Sequence, residues 1–341
     1  MKCSVISIDL AKNVFQICAL SNERTVLFNK KVKRSNLLHE LRQFEPTLVV
    51  MEACYSSNPW GRRIQKLGHT VKCIPAFAVK PFVIGNKNDN NDALAIAEAS
   101  FRPTLRFVPI KSIEQQDVQS LHKIRELLIK QRGAWMNQLR GLLAEYGEVL
   151  PKGIAHIKRQ LPLILEDNSN ELTPVSRGFI TRIALNIRLC SKQIKDIEIE
   201  LQHLLAQRND YQRLLNVPGV GPIVASALLA YINDIGCFKN GRQFAAWVGL
   251  TPRQYASGDI NRLGKISKRG NRTLRKLLIH GARAILSRSS GKDDRLSQWM
   301  NGLKERMHPC KCTVALANKL ARIIWVVLAT KTEFQASKAC A

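Results

Sequence analysis

The 341-residue sequence predicts an α/β domain followed by a largely helical remainder. Three observations predict it. Through residue 112, short apolar runs alternate with helical periodicity. From 113 to 207, apolar residues recur at spacings of three and four. From 208 to 341, glycine-marked turns separate further apolar helices. The length suits two domains and a connecting element. With 45% apolar residues the chain can bury ordinary cores, which excludes a disordered or fibrous protein.

The first unit, 1–112, reads element by element. Val5, Ile6, Ile8 and Leu10 make a short apolar strand, and Val14 to Leu20 a second. Thr25 to Val32 makes a third, with Val26, Phe28 and Val32 on one face. Short connections make the three an antiparallel meander. Ser35 caps a helix through Leu38, Leu41 and Phe44, and Pro46 follows its end. Leu48 to Met51 is fully apolar, as a buried central strand should be. A helix around Trp60 to Leu67 ends at Gly68, and Val71 to Ile74 is a fifth strand. A polar loop, Gly85 to Asn91, leads into a helix from Asp92 to Ser100. Three strands, helix, strand, helix, strand, helix is the order of an RNase-H-like α/β core.

In 113–207, Ile180, Ile183, Ile187, Cys190, Ile194, Ile197, Leu201 and Leu204 form an uninterrupted heptad seam. Leu121, Ile124, Leu128, Trp135, Leu139, Leu142 and Tyr146 mark an earlier helix that Pro151 ends. An intramolecular helical hairpin and a coiled-coil oligomerisation arm both fit this pattern. The last unit, 208–341, is mostly helical.

Charge narrows the function. Against 53 Lys and Arg stand 26 Asp and Glu, a net +27. Such an excess argues for a polyanionic partner, nucleic acid first and a membrane surface second. No apolar run approaches the roughly 20 residues of a membrane span. The best stretch, Ile323 to Ala329, is flanked by Lys319, Arg322 and Lys331. Met1 to Leu20 contains Asp9 and Lys12 and has no signal-peptide core. Nine scattered cysteines suit a reduced, cytoplasmic protein with buried thiols. His308-Pro-Cys310-Lys-Cys312 is half a zinc site without a second half, and buried thiols explain it better.

Four carboxylates attract attention in a chain so poor in acids. Asp9 ends the first strand and Glu52 the short buried one; Asp89 and Asp92 are three apart at the last helix. Singly, each has an ordinary reading as turn residue, ion-pair partner or cap. Together at one sheet edge they would repel unless metal ions neutralised them, and oxygen-only ligands suit Mg²⁺ or Mn²⁺. Two ions about 4 Å apart clamp the attacking and leaving oxygens of a phosphodiester.

Val217-Pro-Gly219-Val-Gly221-Pro222 before an apolar helix resembles the turn of helix-hairpin-helix motifs, where backbone N–H groups meet a phosphate. A tight turn between packed helices explains it equally well. Lys239 to Arg283 holds eleven Lys and Arg and one acid, Asp259. Arg253, Arg262, Lys265, Lys268, Arg269 and Arg272 are its candidate phosphate contacts. Ser257-Gly258 sits among them in a cationic loop. Serine is a weak nucleophile without a base or a metal, and no histidine lies close by; His280 is a helix away.

At this point the sequence resembles the insertion-sequence 110 family of bacterial transposases, relatives of the Piv/MooV DNA invertases. Ser7-Ile-Asp9-Leu-Ala-Lys12-Asn-Val-Phe15, Met51-Glu52-Ala-Cys with Trp60, and Asn86-Lys-Asn-Asp89-Asn-Asn-Asp92-Ala match its three acidic motifs. Val217 to Leu229 and Gly249 to Arg283 resemble its C-terminal transposase domain. The resemblance covers nearly the whole chain. It implies a RuvC-like catalytic domain over 1–112, a helical coiled-coil region over 113–207 and a transposase domain over 208–341. It further implies Mg²⁺ (or Mn²⁺) on Asp9, Glu52, Asp89 and Asp92, and Ser257 as a nucleophile that forms a covalent phosphoserine with DNA. The implied partners are donor and target DNA, a structured bridge RNA that chooses the sites, and further copies of the chain in a tetramer. The implied location is the bacterial cytoplasm, at the nucleoid. Many relatives carry two serines before the glycine, whereas this chain has Ala256-Ser257, with Ser267 as the fallback nucleophile. A RuvC-like nuclease that resolves junctions by metal-dependent hydrolysis would use the same carboxylates and no serine. A non-catalytic basic scaffold would need neither.

Overall fold

The computed structural model describes residues 3–86 and 88–336; Lys87, in the polar loop before the acidic helix, lies outside them. The chain divides into two compact units, Met1–Ile113 and Glu114–Ala341.

In the first unit, β1 (Val5–Asp9), β2 (Val14–Leu20) and β3 (Val26–Lys33) form the expected antiparallel meander. Helix α1 (Leu37–Leu41), β4 (Leu48–Glu52), α2 (Ser57–Gln65) and β5 (Thr70–Ile74) follow. Strands β4 and β5 run parallel to β1, giving the order β3-β2-β1-β4-β5. A short helix α3 (Ala76–Val79), which the sequence did not announce, precedes α4 (Asp89–Ala99).

Strand alternation divides the sheet between two cores. Ile6, Ile8, Phe15, Ile17, Val49 and Met51 pack with α1 and α2 on one face. Trp60 belongs to that core, edge-on to Phe15 at 5.2 Å between ring centres. Val5, Cys18, Leu20 and Val50 pack with Ala93, Ile96 and Ala97 of α4 on the other. Two local expectations change. Ser35 caps nothing: its hydroxyl binds the Asn36 side chain, and α1 begins two residues later. Helix α4 starts at Asp89, because Asn88 is its cap and accepts the Asn91 amide at 2.8 Å.

The second unit opens with α5 (Ile113–Glu145), α6 (Ile154–Glu166) and α7 (Pro174–Leu205). The seam of α7 is used within the chain. Arg125 pairs with Glu198 at 2.6 Å and Arg132 reaches Ser191, so α5 and α7 run antiparallel. Leu139 and Leu143 meet Ile180, Ile183 and Ile187, with Ile157 and Leu161 of α6 closing that core. A second core gathers α8 (Asn209–Leu215), α9 (Pro222–Tyr231) and α10 (Gly241–Val248). Next comes a two-stranded ribbon, β6 (Pro252–Ser257) with β7 (Ile260–Ile266), where the sequence suggested a loop. Helices α11 (Arg272–Leu286), α12 (Arg295–Arg306) and α13 (Pro309–Thr330) complete the unit. By length and composition α13 could cross a bilayer, contrary to the sequence reading, but half of it is buried. Leu316, Leu320, Ile324 and Leu328 lie in the core.

Candidate active site

Register puts the acids on one face. Asp9 follows Val5 and Ser7 along β1 at a period of two, and Glu52 follows Leu48 and Val50 along β4. Both therefore belong to the α4 side of the sheet. Strands β1 and β4 are central neighbours. On α4, Asp89 and Asp92 extend the inward stripe of Ala93 and Ile96 by helical spacing. The four carboxylates thus share one layer.

Their mutual field is felt at Asp9. Its carboxyl is pushed up from 3.8 to about 6, first by desolvation and then by the charges of Asp92, Asp89 and Glu52. Lys31, two strands from Asp9, pairs with Asp89 at 3.2 Å. Among the described residues, no three His, Cys, Asp or Glu side chains gather into a ready ligand cluster. The donor chemistry still suits a hard divalent cation, because all four groups offer carboxylate oxygens.

A polar row braces this layer. Asp9, Gln16 and Lys31 stand opposite one another across β1, β2 and β3. Gln16 donates to the side chains of Asn29 and Asn90. Ser7 donates to the Ala93 carbonyl at 2.6 Å. Sequence reasoning missed Gln16, Asn29 and Lys31. A buried glutamine in an apolar strand was the one signal available for them.

Ser257 ends β6 beside a two-residue turn, Gly258-Asp259, in which Gly258 has φ +54°. Strands of six and seven residues carry it out from the helices, and every residue from Pro252 to Lys265 is exposed. The neck is built differently. Gly249 and Gly270 have φ +82° and +97°. A side chain at Gly249 would strike the Arg269 carbonyl, and one at Gly270 the Trp247 carbonyl. The buried Arg275 donates to the Val248 carbonyl at 2.8 Å, and Asn318 to that of Leu250 at 3.2 Å. A fixed base thus carries a free arm. Ser267 lies at the base, its amide on the Thr251 carbonyl at 2.8 Å.

Arg253, Arg262 and Lys265 line the ribbon; Lys268, Arg269 and Arg272 surround its base, all exposed. His280 is exposed on α11. Gly219, φ +77°, presses so closely on Gly281 of α11 that a side chain would meet the Gly281 carbonyl at 2.9 Å. Packing therefore accounts for Gly219, while Gly221 stays exposed as the residue capping α9. Cys312 is buried and turned toward the Leu303 and Met307 carbonyls, and His308 caps its own helix, which leaves no zinc half-site.

The chain joins an acidic sheet face to a strongly basic helical unit, and its likeness to known proteins gives the class: an enzyme that acts on DNA, a transposase. Residues 6–148 match the DEDD_Tnp_IS110 family, described as transposase, and residues 211–298 match the transposase IS116/IS110/IS902 family. A probable family 20 transposase of Pseudomonas aeruginosa is 42% identical over 97% of this chain and 98% of its own. The transposase for insertion sequence element IS1111A of Coxiella burnetii is 41% identical over 97% and 91%, and that for IS1328 of Yersinia enterocolitica 40% over 97% and 98%. The chain belongs to the IS110 family of insertion-sequence transposases.

Proposed function

We propose that this transposase cuts and exchanges DNA strands with an RNase-H-like, RuvC-like acidic site and a serine nucleophile. The observation that carries the reading is the placement of Asp9, Glu52, Asp89 and Asp92 on one sheet face, where burial first and then the charges of the other three push Asp9 up to about 6. Those four residues would hold Mg²⁺ or Mn²⁺. When bound, the metal supplies charge neutralisation at the scissile phosphate and a lower pKa for an attacking hydroxyl.

The chain's own residues do the rest. Ser257 Oγ attacks phosphorus, a new P–O bond replaces the one that breaks, and the leaving oxygen takes up a proton. Bond number is conserved, so no nucleotide hydrolysis is needed. Arg253, Arg262, Lys265, Lys268, Arg269 and Arg272 hold the backbone. The ribbon's form supports this. A hairpin exposed on both faces is marginal alone, and a duplex groove offers walls to both faces at once. A major groove about 12 Å wide admits a two-stranded ribbon. Site choice by a structured bridge RNA fits a basic chain with 6% aromatics, which reads backbone and shape rather than stacked bases.

The test is a denaturing gel of protein, RNA and element-end DNA. Wild type should give a protein–DNA adduct that survives denaturation; Ser257→Ala and Asp9→Asn should give none. Cleavage without adduct in Ser257→Ala would replace this reading with hydrolysis by a junction-resolving nuclease. An adduct mapped to Ser267 would move the nucleophile and keep the mechanism.

A further inference from the structure

We propose that Gln16 is a positioning residue of the acidic site, fixing where the first turn of α4 sits over Asp9 and Glu52. The inference rests on the carboxylate reading above. Gln16 faces Asp9 across β1 and β2 and is 3% exposed. Its Nε2 donates to Asn29 Oδ1 on β3 and to Asn90 Oδ1 on α4, the residue after Asp89. Asn29 Nδ2 closes the ring on the Asn90 carbonyl at 3.0 Å. One row along the sheet, the Ser7 hydroxyl holds the Ala93 carbonyl. Three strand residues thereby grip the turn that carries Asp89 and Asp92.

The helix face explains why a latch is needed. Helix α4 packs through Ala93, Ala95, Ala97 and Ala99, with Ile96 the one large buried side chain. Alanines let backbones approach closely but interlock weakly, so such a face resists sliding and rolling poorly. Hydrogen bonds are directional and supply the missing register. Two aspartates three residues apart would move together if that register slipped.

A second feature ties Gln16 to the site itself. Its Oε1 is buried and has no hydrogen-bond partner. An orphaned buried acceptor is unfavourable for stability, so packing alone does not account for an amide here. Gln16 belongs to the layer of Asp9, which it faces across β1 and β2.

Hydrogen exchange and Mn²⁺ titration on the full chain test this. In Gln16→Met, amide protection at residues 91–93 should fall about tenfold while β1, β2 and β4 keep theirs. The Mn²⁺ concentration giving half the thermal stabilisation should rise about tenfold. Asn29→Ala, which removes two of the bonds from a half-buried residue, should reproduce both effects more weakly, and it stands in if Gln16→Met fails to fold. Unchanged protection at 91–93, or loosening spread over the whole sheet, would overturn the proposal. If protection falls as expected but wild type and Asp9→Asn respond identically to Mn²⁺, the latch stands and the carboxylate reading fails.

Discussion

Asp9 carries a cost that its chemistry explains. Its folded pKa, about 6, lies above its ordinary value of 3.8, so the folded state holds the proton more tightly than the unfolded one. Stability linked to that proton is complete below pH 4 and is lost as pH rises through 6. Asp9→Asn removes the loss. At pH 7.5 without metal the variant should be more stable by about 1 kcal/mol, a figure reduced for the partial exposure of the group. Thermal melts in EDTA at pH 4 and pH 7.5 check this: the gain should vanish at the lower pH. On the proposed metal site, divalent ions would reverse the balance, because they need the deprotonated form. Stabilisation of wild type by Mn²⁺ should therefore grow between pH 5 and pH 7, and Asp9→Asn should show little of it. At this scale the acids were legible and their setting was not. Asp9 and Glu52 ended apolar strands, and Asp89-x-x-Asp92 opened a helix. Nothing local in sequence linked Lys31 to Asp89, since that contact depends on the register of β2 with β3.

The elements divide by whether they bury a face. Strands β1 to β5 and helices α4 and α7 showed their period because one side or both are covered. The β6–β7 ribbon showed none, because both sides meet solvent and no alternation is required of it. Helix α6 was obscured by an internal proline, Pro162. The ribbon gives two contrasting glycine predictions. Gly270→Ala drives a methyl into the Trp247 carbonyl at a left-handed position and should cost about 2 kcal/mol or more. Gly258→Ala meets nothing within 4 Å and carries only the positive φ, so about 1 kcal/mol, confined to the turn, is expected. Chemical denaturation should register the first and leave the second within error, since Gly258 lies at the exposed tip of the ribbon, away from its packed neck. Neutralising Lys268 and Arg269, which stand exposed at the neck, should weaken binding to all DNA sequences alike and flatten the salt slope by about two. A loss confined to one sequence would point to base contacts instead.

For the whole molecule, the acidic layer and the serine ribbon belong to different compact units. No histidine lies within the ribbon to activate Ser257. A reacting oxygen must come within about 3–3.5 Å of phosphorus, in line with the leaving oxygen. On the proposed mechanism, Ser257 and the acidic layer would act only when brought together on DNA. We expect the pair to come from different copies of the chain, as the family resemblance implies for a tetramer. On the outer side of α7, Leu185 and Leu189 are each more than half exposed. Mixing two inactive variants tests this directly. Asp9→Asn keeps an intact ribbon, and Ser257→Ala keeps an intact acidic layer. In mixed assemblies some sites would combine the intact ribbon of one copy with the intact acids of another. Random mixing of equal amounts gives such a pairing at about one site in four, so roughly a quarter of wild-type adduct formation should return. The adduct must carry the Asp9→Asn chain, which a size tag on one variant reveals. If the mixture stays inactive while both variants still assemble on DNA and RNA, each copy must complete its own site, and the domain movement that joins acids to serine lies within a single chain.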